Sequence, residues 1–272
     1  MRTLTLVTLF SLAAANAATL DAVTEQAWDQ YVESATARMQ HRLAPGNSFL
    51  WVDESPERLA RVRAGEIVVS PVGPQTPKKV PSGLIHDWIG AVFIPQASIQ
   101  NVLEVVRDYG QYKDMYEPNV AESKPIVLGD IGTGEAKDRF SMVLINKSLS
   151  LRMAFDADYE SCYTRVDDRR MFSTTATTRI QEIDDYGSPE QHLLPVGTGH
   201  GIIWRMFGIT RYLERDGGVY VEFEALALSR DIPGAIRWFV EPLVRRISRS
   251  SLSTSLTKTE RAVHNQTELA HR

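Results

Sequence analysis

The stretch PGAIRWFVEPLVRRISRSSLSTSLTKTERAV, residues 233–263, decides the fold that we predict for this chain. Its first half has the spacing of an amphipathic helix, because apolar residues recur at intervals of four, three and four positions. These residues are Ile236, Val240, Leu243 and Ile247. A single apolar face of this kind indicates a helix that packs against a core.

The second half of this helix is predicted to bury a different face. At about 100° per residue, Leu252, Leu256 and Val263 lie roughly opposite the first apolar face. Pro242 lacks an N–H group and crowds the turn before it, so we expect a kink or a fresh start of the helix there. The second apolar face can then be buried in two ways: the helix bends around residues 248–251, or this face packs against another element.

A half-buried antiparallel strand is predicted at residues 219–228, directly before the helix. It follows the hairpin signal Asp216-Gly217-Gly218, and its apolar and polar residues alternate. A long terminal helix laid against the concave face of an antiparallel sheet leaves a gap between two apolar surfaces. Small apolar ligands usually bind in gaps of this kind, so the sequence predicts a binding shape.

Length and composition narrow the class of protein. The chain has 272 residues, of which 43% are hydrophobic and 24% charged, which fits a globular protein with one large domain or one domain plus an extension. The same composition excludes disordered and collagen-like classes. The formal net charge is −4, and no run of basic residues is longer than a pair such as Arg245-Arg246. We therefore expect no nucleic-acid partner.

The first 17 residues are predicted to be a cleavable secretory signal. They combine one basic residue, Arg2, an apolar run at 4–15 and small residues at Ala15 and Ala17, which favours cleavage before Ala18. The run is too short to span a bilayer, and an uncleaved anchor or a buried N-terminal helix is the alternative. We expect a periplasmic or secreted protein with no transmembrane segment after the signal is removed.

Residues 18–70 are predicted to form a helical extension before the main domain. Apolar residues at helical spacing predict a helix at 19–43 with Thr19 as its N-cap, and Ser55 is the N-cap candidate of a second helix. The apolar face of the first helix is one candidate partner for the second face of the C-terminal helix. Four prolines within residues 71–82 then predict an extended linker.

The main domain is predicted to span residues 83–264, followed by a tail at 265–272. Alternating and threonine-rich runs predict strands, and apolar residues at helical spacing predict helices. The predicted elements are a strand at 83–94, a helix at 98–109, a short helix ending at Pro118, strands at 140–146 and 149–159 joined by Lys147-Ser148, a strand at 170–183, a polar loop at 184–201 and a strand at 202–213. The lone cysteine, Cys162, excludes an internal disulfide bond.

Four sequence blocks, in this order of elements, resemble the START-like superfamily. This is the helix-grip fold of lipid-transfer START domains, polyketide cyclases and aromatases, and plant hydrophobic-ligand proteins. The blocks are GLIHDWIG at 83–90, the segment from Asp108-Tyr109 to Pro118, ERDGGVY at 214–220 and LSRDIP at 228–233. The chain is similar to a group of exported bacterial members over residues 80–263. The resemblance implies an α+β fold in which a curved antiparallel sheet grips the C-terminal helix around an apolar cavity; it implies no particular activity.

The predicted cavity is expected to be lined by strand and helix residues that face the gap. These residues are Phe155, Trp204, Met206, Val221, Phe223, Ile236, Val240 and Leu243. The expected partner is a lipid-like or aromatic small molecule. We expect no cofactor and no metal.

The sequence contains no motif that favours a particular reaction. There is no G-x-S-x-G elbow, and the histidines do not fall at zinc-ligand spacing. The segment Gly197-Thr198-Gly199-His200-Gly201 lacks the G-x-G-x-x-G pattern and predicts turns. A histidine beside a carboxylate, as in His86-Asp87, could do acid-base work, but neighbours on a strand point to opposite faces, which favours structural roles.

Five arginines lie in or beside predicted strands: Arg139, Arg152, Arg179, Arg205 and Arg211. As a group they are expected to face solvent. Any that points inward would require a carboxylate partner or a ligand head group, since a lone buried charge is costly. Glu222 and Glu224 are the nearest carboxylate candidates.

Three functions are compatible with the sequence. The leading hypothesis is an exported binding or carrier protein for a hydrophobic small molecule, without enzymatic activity. The second is an enzyme of the cyclase or aromatase type, which would need unpaired polar side chains on the cavity floor. The third is a structural or interaction module whose cavity is filled by side chains and whose N-terminal helix binds a partner.

Overall fold

The computed structural model describes residues 18–148, 151–232 and 234–270. In chain order the elements are β1 (Ala18–Thr19), α1 (Ala22–Arg42), α2 (Pro56–Arg63), β2 (Val68–Pro71), β3 (Lys78–Val80), β4 (Gly83–Pro95), α3 (Ile99–Val106), α4 (Tyr112–Met115), β5 (Val120–Val127), β6 (Glu135–Ser148), β7 (Leu151–Arg165), β8 (Arg170–Asp184), β9 (His192–Leu193), β10 (Thr198–Gly199), β11 (Arg205–Arg215), β12 (Gly218–Arg230) and α5 (Gly234–Ala270).

One large antiparallel sheet of ten strands forms the centre of the protein. Its main path is β2-β4-β12-β11-β8-β7-β6-β5; β3 also pairs with β4, and β9 with β8. Strands β1 and β10 form a separate two-stranded ribbon. With the long helix α5 on one face, this is the α+β helix-grip fold predicted from the sequence. We call the face toward α5 the inner face, and the opposite face, which packs against α1, the outer face.

The hairpin between β11 and β12 joins two neighbouring strands in the interior of the sheet. Arg215 pairs with Gly218, so that two residues form the turn between them. These residues, Asp216 and Gly217, have φ angles of 59° and 78°. Positive φ at both positions is the geometry of the tight turns that suit the twist of paired strands, and Asp-Gly is a sequence that tolerates it. The predicted hairpin is confirmed.

Helix α5 runs as one helix from Gly234 to Ala270 and continues through Pro242, so of the kink or fresh start that we expected there, the fresh start does not occur. Its second half packs against the inner face through Leu252 and Leu256, which belong to one buried cluster with residues of β4 and α3. The second apolar face of the helix therefore meets the sheet. The alternative partner considered from the sequence, helix α1, lies on the outer face.

The N-terminal extension covers the outer face. Trp28, Met39 and Leu50 from the extension are buried in one cluster with Ile209 and Leu226 of the sheet. The prediction that Thr19 is the N-cap of α1 is wrong, because Thr19 is part of the ribbon that β1 forms with β10. Asp21 takes this role, and its Oδ1 accepts a hydrogen bond from the Thr24 N–H at 2.7 Å.

Two other predictions concern the cap of α2 and the proline-rich stretch that follows the extension. Ser55 caps α2 and accepts from the Arg58 N–H, as predicted. The stretch 71–82, predicted as an extended linker, contributes strand β3 to the sheet.

The loop between β6 and β7 differs from the prediction. Lys147 and Ser148, expected to form the turn, instead lie opposite Arg152 and Leu151 as the last pairs of the ladder. The predicted signal at residues 1–17 lies outside the described residues. Within the described ranges, no helix is long and apolar enough to cross a membrane.

A group of charged side chains is buried on the outer face, between the sheet and the extension. Arg211 is 1% exposed, and its guanidinium contacts Glu224 at 2.7 Å and Glu222 at 3.4 Å. These are the two carboxylates named from the sequence as the nearest partners for a buried arginine. Both carboxylates also bond to the extension, so the ion pairs join the two parts of the chain: Glu222 accepts from the backbone N–H groups of Trp51 and Val52, and Glu224 accepts from Arg38.

Candidate functional site: the inner face of the sheet

Strand β12 shows that the two faces of the sheet differ in solvent access. Its outer-face residues Glu222, Glu224 and Leu226 are at most 3% exposed. The inner-face residues that alternate with them, including Phe223 and Ala225, are only partly buried. Along β12 the outer face is therefore sealed, while the inner face keeps accessible surface from Phe223 onward.

Small side chains form a row across this part of the inner face. Antiparallel pairing places Trp88, Ala225, Gly208, Thr175 and Ser161 side by side on five consecutive strands. Residues directly opposite one another on paired strands project from the same face. The row begins with the large Trp88 and continues through four small residues, of which Ala225 and Thr175 keep accessible surface.

Gly208 has a specific role in the shape of this surface. A Cβ atom at this position would lie 2.6 Å from Cε2 of Phe223. Glycine therefore lets the Phe223 ring lie against the backbone of the neighbouring strand. The aromatic ring forms part of the floor of the site and does not stand up into it.

Stacked aromatic rings bound one side of the site. Phe140 lies between two tyrosines, with its ring centroid 3.9 Å from that of Tyr109 and 5.0 Å from that of Tyr159. The interplanar angles are 11° and 7°, so the three rings are nearly parallel. The same cluster contains Phe155 and Met206. The stacked rings and Phe155 are at most 5% exposed, so the cluster is a closely packed apolar wall at the side of the inner face.

Asp138 fixes the tyrosine at the end of this wall. Its carboxylate accepts hydrogen bonds from Arg107, from the Gly129 N–H and from the Tyr109 hydroxyl at 2.9 Å. Burial is the main cause that raises the pKa of the Tyr109 hydroxyl above its ordinary value. Asp138 is fully buried and well supplied with donors, so this network positions the wall and leaves little capacity for a ligand.

Among the described residues, three buried polar atoms on the inner face have no hydrogen-bond partner. They are the Tyr159 hydroxyl, Nε1 of Trp88 and Nδ1 of His86. Burial raises the pKa of Tyr159, which keeps its hydroxyl protonated, and lowers the pKa of His86 to about 4, which keeps its ring neutral. An unsatisfied buried polar group costs about 1–3 kcal/mol, so these atoms favour any partner that can reach them.

His86 and Asp87 point to opposite faces, as predicted. Nε2 of His86 lies 3.0 Å from the Ser229 hydroxyl on the inner face. Asp87 lies on the outer face, where it accepts from the Tyr31 hydroxyl at 2.9 Å and contacts Arg38 at 3.3 Å. The two side chains therefore belong to separate environments and do not form an acid-base pair.

The predicted lining residues are divided among three clusters. Phe155 and Met206 share the aromatic wall, and Val221 and Phe223 lie in the inner-face cluster that contains Leu252 of α5. Leu243 is partly buried on α5. The side chains of Ile236 and Val240 lie outside the described part of the structure.

Trp204 lies apart from the other predicted lining residues. It packs in the outer-face cluster with Trp28 and Leu228. It also lines a cleft of about 290 Å³ together with Leu20 and Arg230. Trp204 precedes the first residue of β11, so the alternation of that strand does not fix its direction.

Sequence reasoning missed several residues of the inner face. Tyr159, Thr175 and Gly208 were not selected, although each lies in the centre of the face or beside it. Alternation along β7 would have selected Tyr159, because it follows Phe155 at a spacing of four on the same face. Gly208 and Thr175 give no such local signal, since their importance comes from the residues opposite them.

The chain is similar to several solved structures, but no protein-family model and no curated protein sequence matches it. Among solved structures, it is similar to a STAR-related lipid transfer protein from Xanthomonas axonopodis, at 18% identity and a TM-score of 0.44 over 72% of this chain and 98% of that one. It is also similar to a START superfamily protein from Mycobacterium smegmatis (10% identity, TM-score 0.40, 67% and 98% covered) and to the Zhui aromatase/cyclase from Streptomyces sp. R1128 (15%, 0.39, 66% and 96%). Similarity at these levels concerns the fold and does not identify a ligand.

Proposed function

We propose that this protein binds a lipid-like or aromatic small molecule between the inner face of the sheet and α5, and that it acts as an exported carrier. One observation supports this above the others. Along β12 the inner-face residues from Phe223 onward keep accessible surface, while their outer-face neighbours are sealed. Apolar surface that stays accessible inside a fold is the usual feature of a site for an apolar ligand.

The chemistry of the inner face fits an apolar ligand with few polar contacts. Parallel aromatic rings form its wall, small side chains form its floor, and the unpartnered polar atoms are few. A ligand would bury apolar surface at about 25 cal/mol per Å² of area removed from water, and the polar atoms would orient it. A carrier needs binding of this kind and no reactive group.

Native mass spectrometry of the purified protein, with solvent extraction of bound material, tests the carrier proposal. We expect an apolar molecule of defined mass to be retained by the wild type and lost from Phe223→Arg. The control is Ile126→Arg, which places the same charge at a residue that is 50% exposed on the edge of the sheet. A Phe223→Arg protein that folds and still carries the molecule would contradict the site. A bare wild-type chain that takes up no hydrophobic dye would contradict the function.

Export is part of the proposal and rests on the N-terminal sequence. A basic residue, an apolar run and small residues before Ala18 form the pattern of a cleavable signal. N-terminal sequencing of the protein recovered from outside the cytoplasm should give Ala-Thr-Leu as the first residues. Recovery of the intact chain from the cytoplasm alone would contradict export.

A second function, an enzyme of the cyclase type, is favoured by one observation. The Tyr159 hydroxyl is buried, unpartnered and held protonated by its raised pKa, so it could donate to a carbonyl oxygen of a bound polyketone. Under this alternative, the wild type would convert a linear poly-β-ketone to a cyclised product faster than Tyr159→Phe. Equal rates, at the level of the uncatalysed reaction, would exclude it.

A further inference from the structure

A buried glutamate and a half-exposed histidine form a close pair at the end of the inner face. Oε1 of Glu182 lies 2.5 Å from Nδ1 of His200, and Oε2 accepts the His200 backbone N–H at 2.8 Å. The Glu182 side chain is 9% exposed and that of His200 is 35% exposed. Two bonds from one carboxylate to one residue fix both the backbone and the ring of His200.

The glycine-rich segment Gly197-Thr198-Gly199-His200-Gly201 is built for this contact. Gly199 has a φ angle of 127°, and a Cβ atom there would overlap Oε2 of Glu182. Gly201 has a φ angle of 69°, and a Cβ atom there would lie 2.6 Å from the Trp204 ring. Glycine is therefore required on both sides of His200. The segment forms the turns predicted from its sequence, and these turns bring one imidazole onto one carboxylate.

The pair belongs to the same face as the candidate site. Glu182 lies opposite Phe155 in the β7–β8 ladder, so the two side chains project from the same face of the sheet. Phe155 is part of the aromatic wall, and Ile202, just after the glycine-rich segment, packs against the same cluster. A ligand that lies along the wall therefore ends close to His200.

The carboxylate determines which ring nitrogen of His200 carries the proton. A carboxylate accepts hydrogen bonds and cannot donate them, so Nδ1 of the ring must be the protonated nitrogen. In the neutral ring, Nε2 then has a free lone pair and acts as an acceptor. No hydrogen bond to Nε2 occurs within the described residues.

We infer that His200, oriented by Glu182, is the polar anchor of the ligand site and selects apolar ligands that carry a hydroxyl donor, such as phenols or lipid alcohols. The inference rests on the proposed binding function and specifies its ligand class. A ligand hydroxyl donates to Nε2, while the rest of the molecule lies on the apolar wall. An ether or hydrocarbon of the same shape leaves Nε2 without a partner.

Two matched probes test this selectivity. 2-Naphthol carries a phenolic hydroxyl, and 2-methoxynaphthalene has the same ring system but cannot donate. Titration calorimetry of the wild type should give a dissociation constant about tenfold lower for the naphthol, a factor that corresponds to one hydrogen bond. The methyl ether is the more apolar probe, so hydrophobic partition alone would favour the ether.

The variant Glu182→Gln tests whether Glu182 sets the hydrogen-bonding state of the His200 ring or only holds the loop in place. The glutamine amide can still accept the His200 N–H, and it can donate to Nδ1, which moves the ring proton to Nε2. The loop contacts are kept, but Nε2 becomes a donor, and the preference for naphthol should fall to about one. His200→Phe should give the same loss. His192→Phe is the control, because the His192 side chain is exposed and its ring lies at the Glu190 carbonyl, away from Glu182.

The possible outcomes distinguish this inference from the proposed function. If both probes bind the wild type equally, or if the preference for naphthol persists in His200→Phe, His200 is not the polar anchor, but the proposed apolar binding site is still supported. If neither probe binds the wild type, the anchor and the binding function both fail. A preference lost in Glu182→Gln and His200→Phe, but kept in His192→Phe, establishes the anchor.

Discussion

Leu256 of α5 lies directly against Gly90 of β4. A Cβ atom at Gly90 would be 2.7 Å from Cδ1 of Leu256 and 3.3 Å from Cγ of Leu252. The backbone of the strand and the side chains of the helix are therefore in contact, and this contact sets the distance of α5 from the inner face. The size of the candidate site depends on that distance.

Replacement of Gly90 by alanine should push α5 away from the sheet. Forcing an extra methyl group into a packed contact costs about 1–3 kcal/mol. We expect the free energy of unfolding, measured by urea denaturation, to fall by that amount. Gly110→Ala is the matched control, since its nearest neighbouring atom would be 3.6 Å away. Equal effects of the two substitutions would show that α5 does not rest on Gly90.

Arg211→Met should be one of the most destabilising single substitutions in the sheet. It would leave Glu222 and Glu224 buried without their arginine, and breaking a buried pair costs about 3–5 kcal/mol. The measurement is the free energy of unfolding by denaturant. Arg139→Met is the control, because Arg139 lies on an exposed strand position. A loss below about 1 kcal/mol would show that the cluster does not join the extension to the sheet.

The buried ion pairs of Arg211 with Glu222 and Glu224 should also hold the N-terminal extension in place. Glu222 accepts from the Trp51 and Val52 N–H groups, so disturbing the cluster should loosen this segment first. Limited proteolysis of Arg211→Met should cut near residues 44–55 before it cuts the sheet. Cleavage in the sheet at the same rate would indicate general unfolding.

The local parts of the fold could be predicted from the sequence because their signals are local. Ser55 and Asp216-Gly217 mark a helix start and a turn through residues that contact each other within a few positions. The cap at Asp21 was missed because Thr19 carries an equally good cap side chain. Only the pairing of β1 with β10, which is remote in sequence, assigns Thr19 to a strand.

The candidate site was harder to predict because it depends on pairing between strands. Alternation along single strands placed Val221 and Phe223 on one face, and the structure keeps them together. It could not show that Gly208 leaves space for the Phe223 ring, since this follows from the β11–β12 register. The contact between His200 and Glu182 joins residues 18 positions apart, with a positive-φ glycine on each side of His200, and no periodic pattern reports it.

Asp87 should make stability fall as the pH rises. Burial, reinforced by the charge of Glu224, raises the pKa of Asp87 from 3.8 to about 7. Between these values the folded state binds a proton that the unfolded state has lost, so the free energy of unfolding decreases with pH. The contribution is complete below about pH 4 and lost by about pH 7. Subtracting the pH profile of Asp87→Asn from that of the wild type isolates it, and a flat difference would contradict the raised pKa.

His86, which precedes Asp87 on β4, should have the opposite effect on the free energy of unfolding over nearly the same pH range. Burial lowers the pKa of His86 from 6.5 to about 4, so between these values the unfolded state binds a proton that the folded state does not. The free energy of unfolding then increases as the pH rises from about 4 to 6.5, and this contribution is lost in acid. In the wild type the two effects oppose each other and flatten the profile. His86→Gln should therefore leave the falling slope of Asp87 visible, and Asp87→Asn the rising slope of His86. Two variants with the same slope would contradict the opposite pKa shifts of the two side chains.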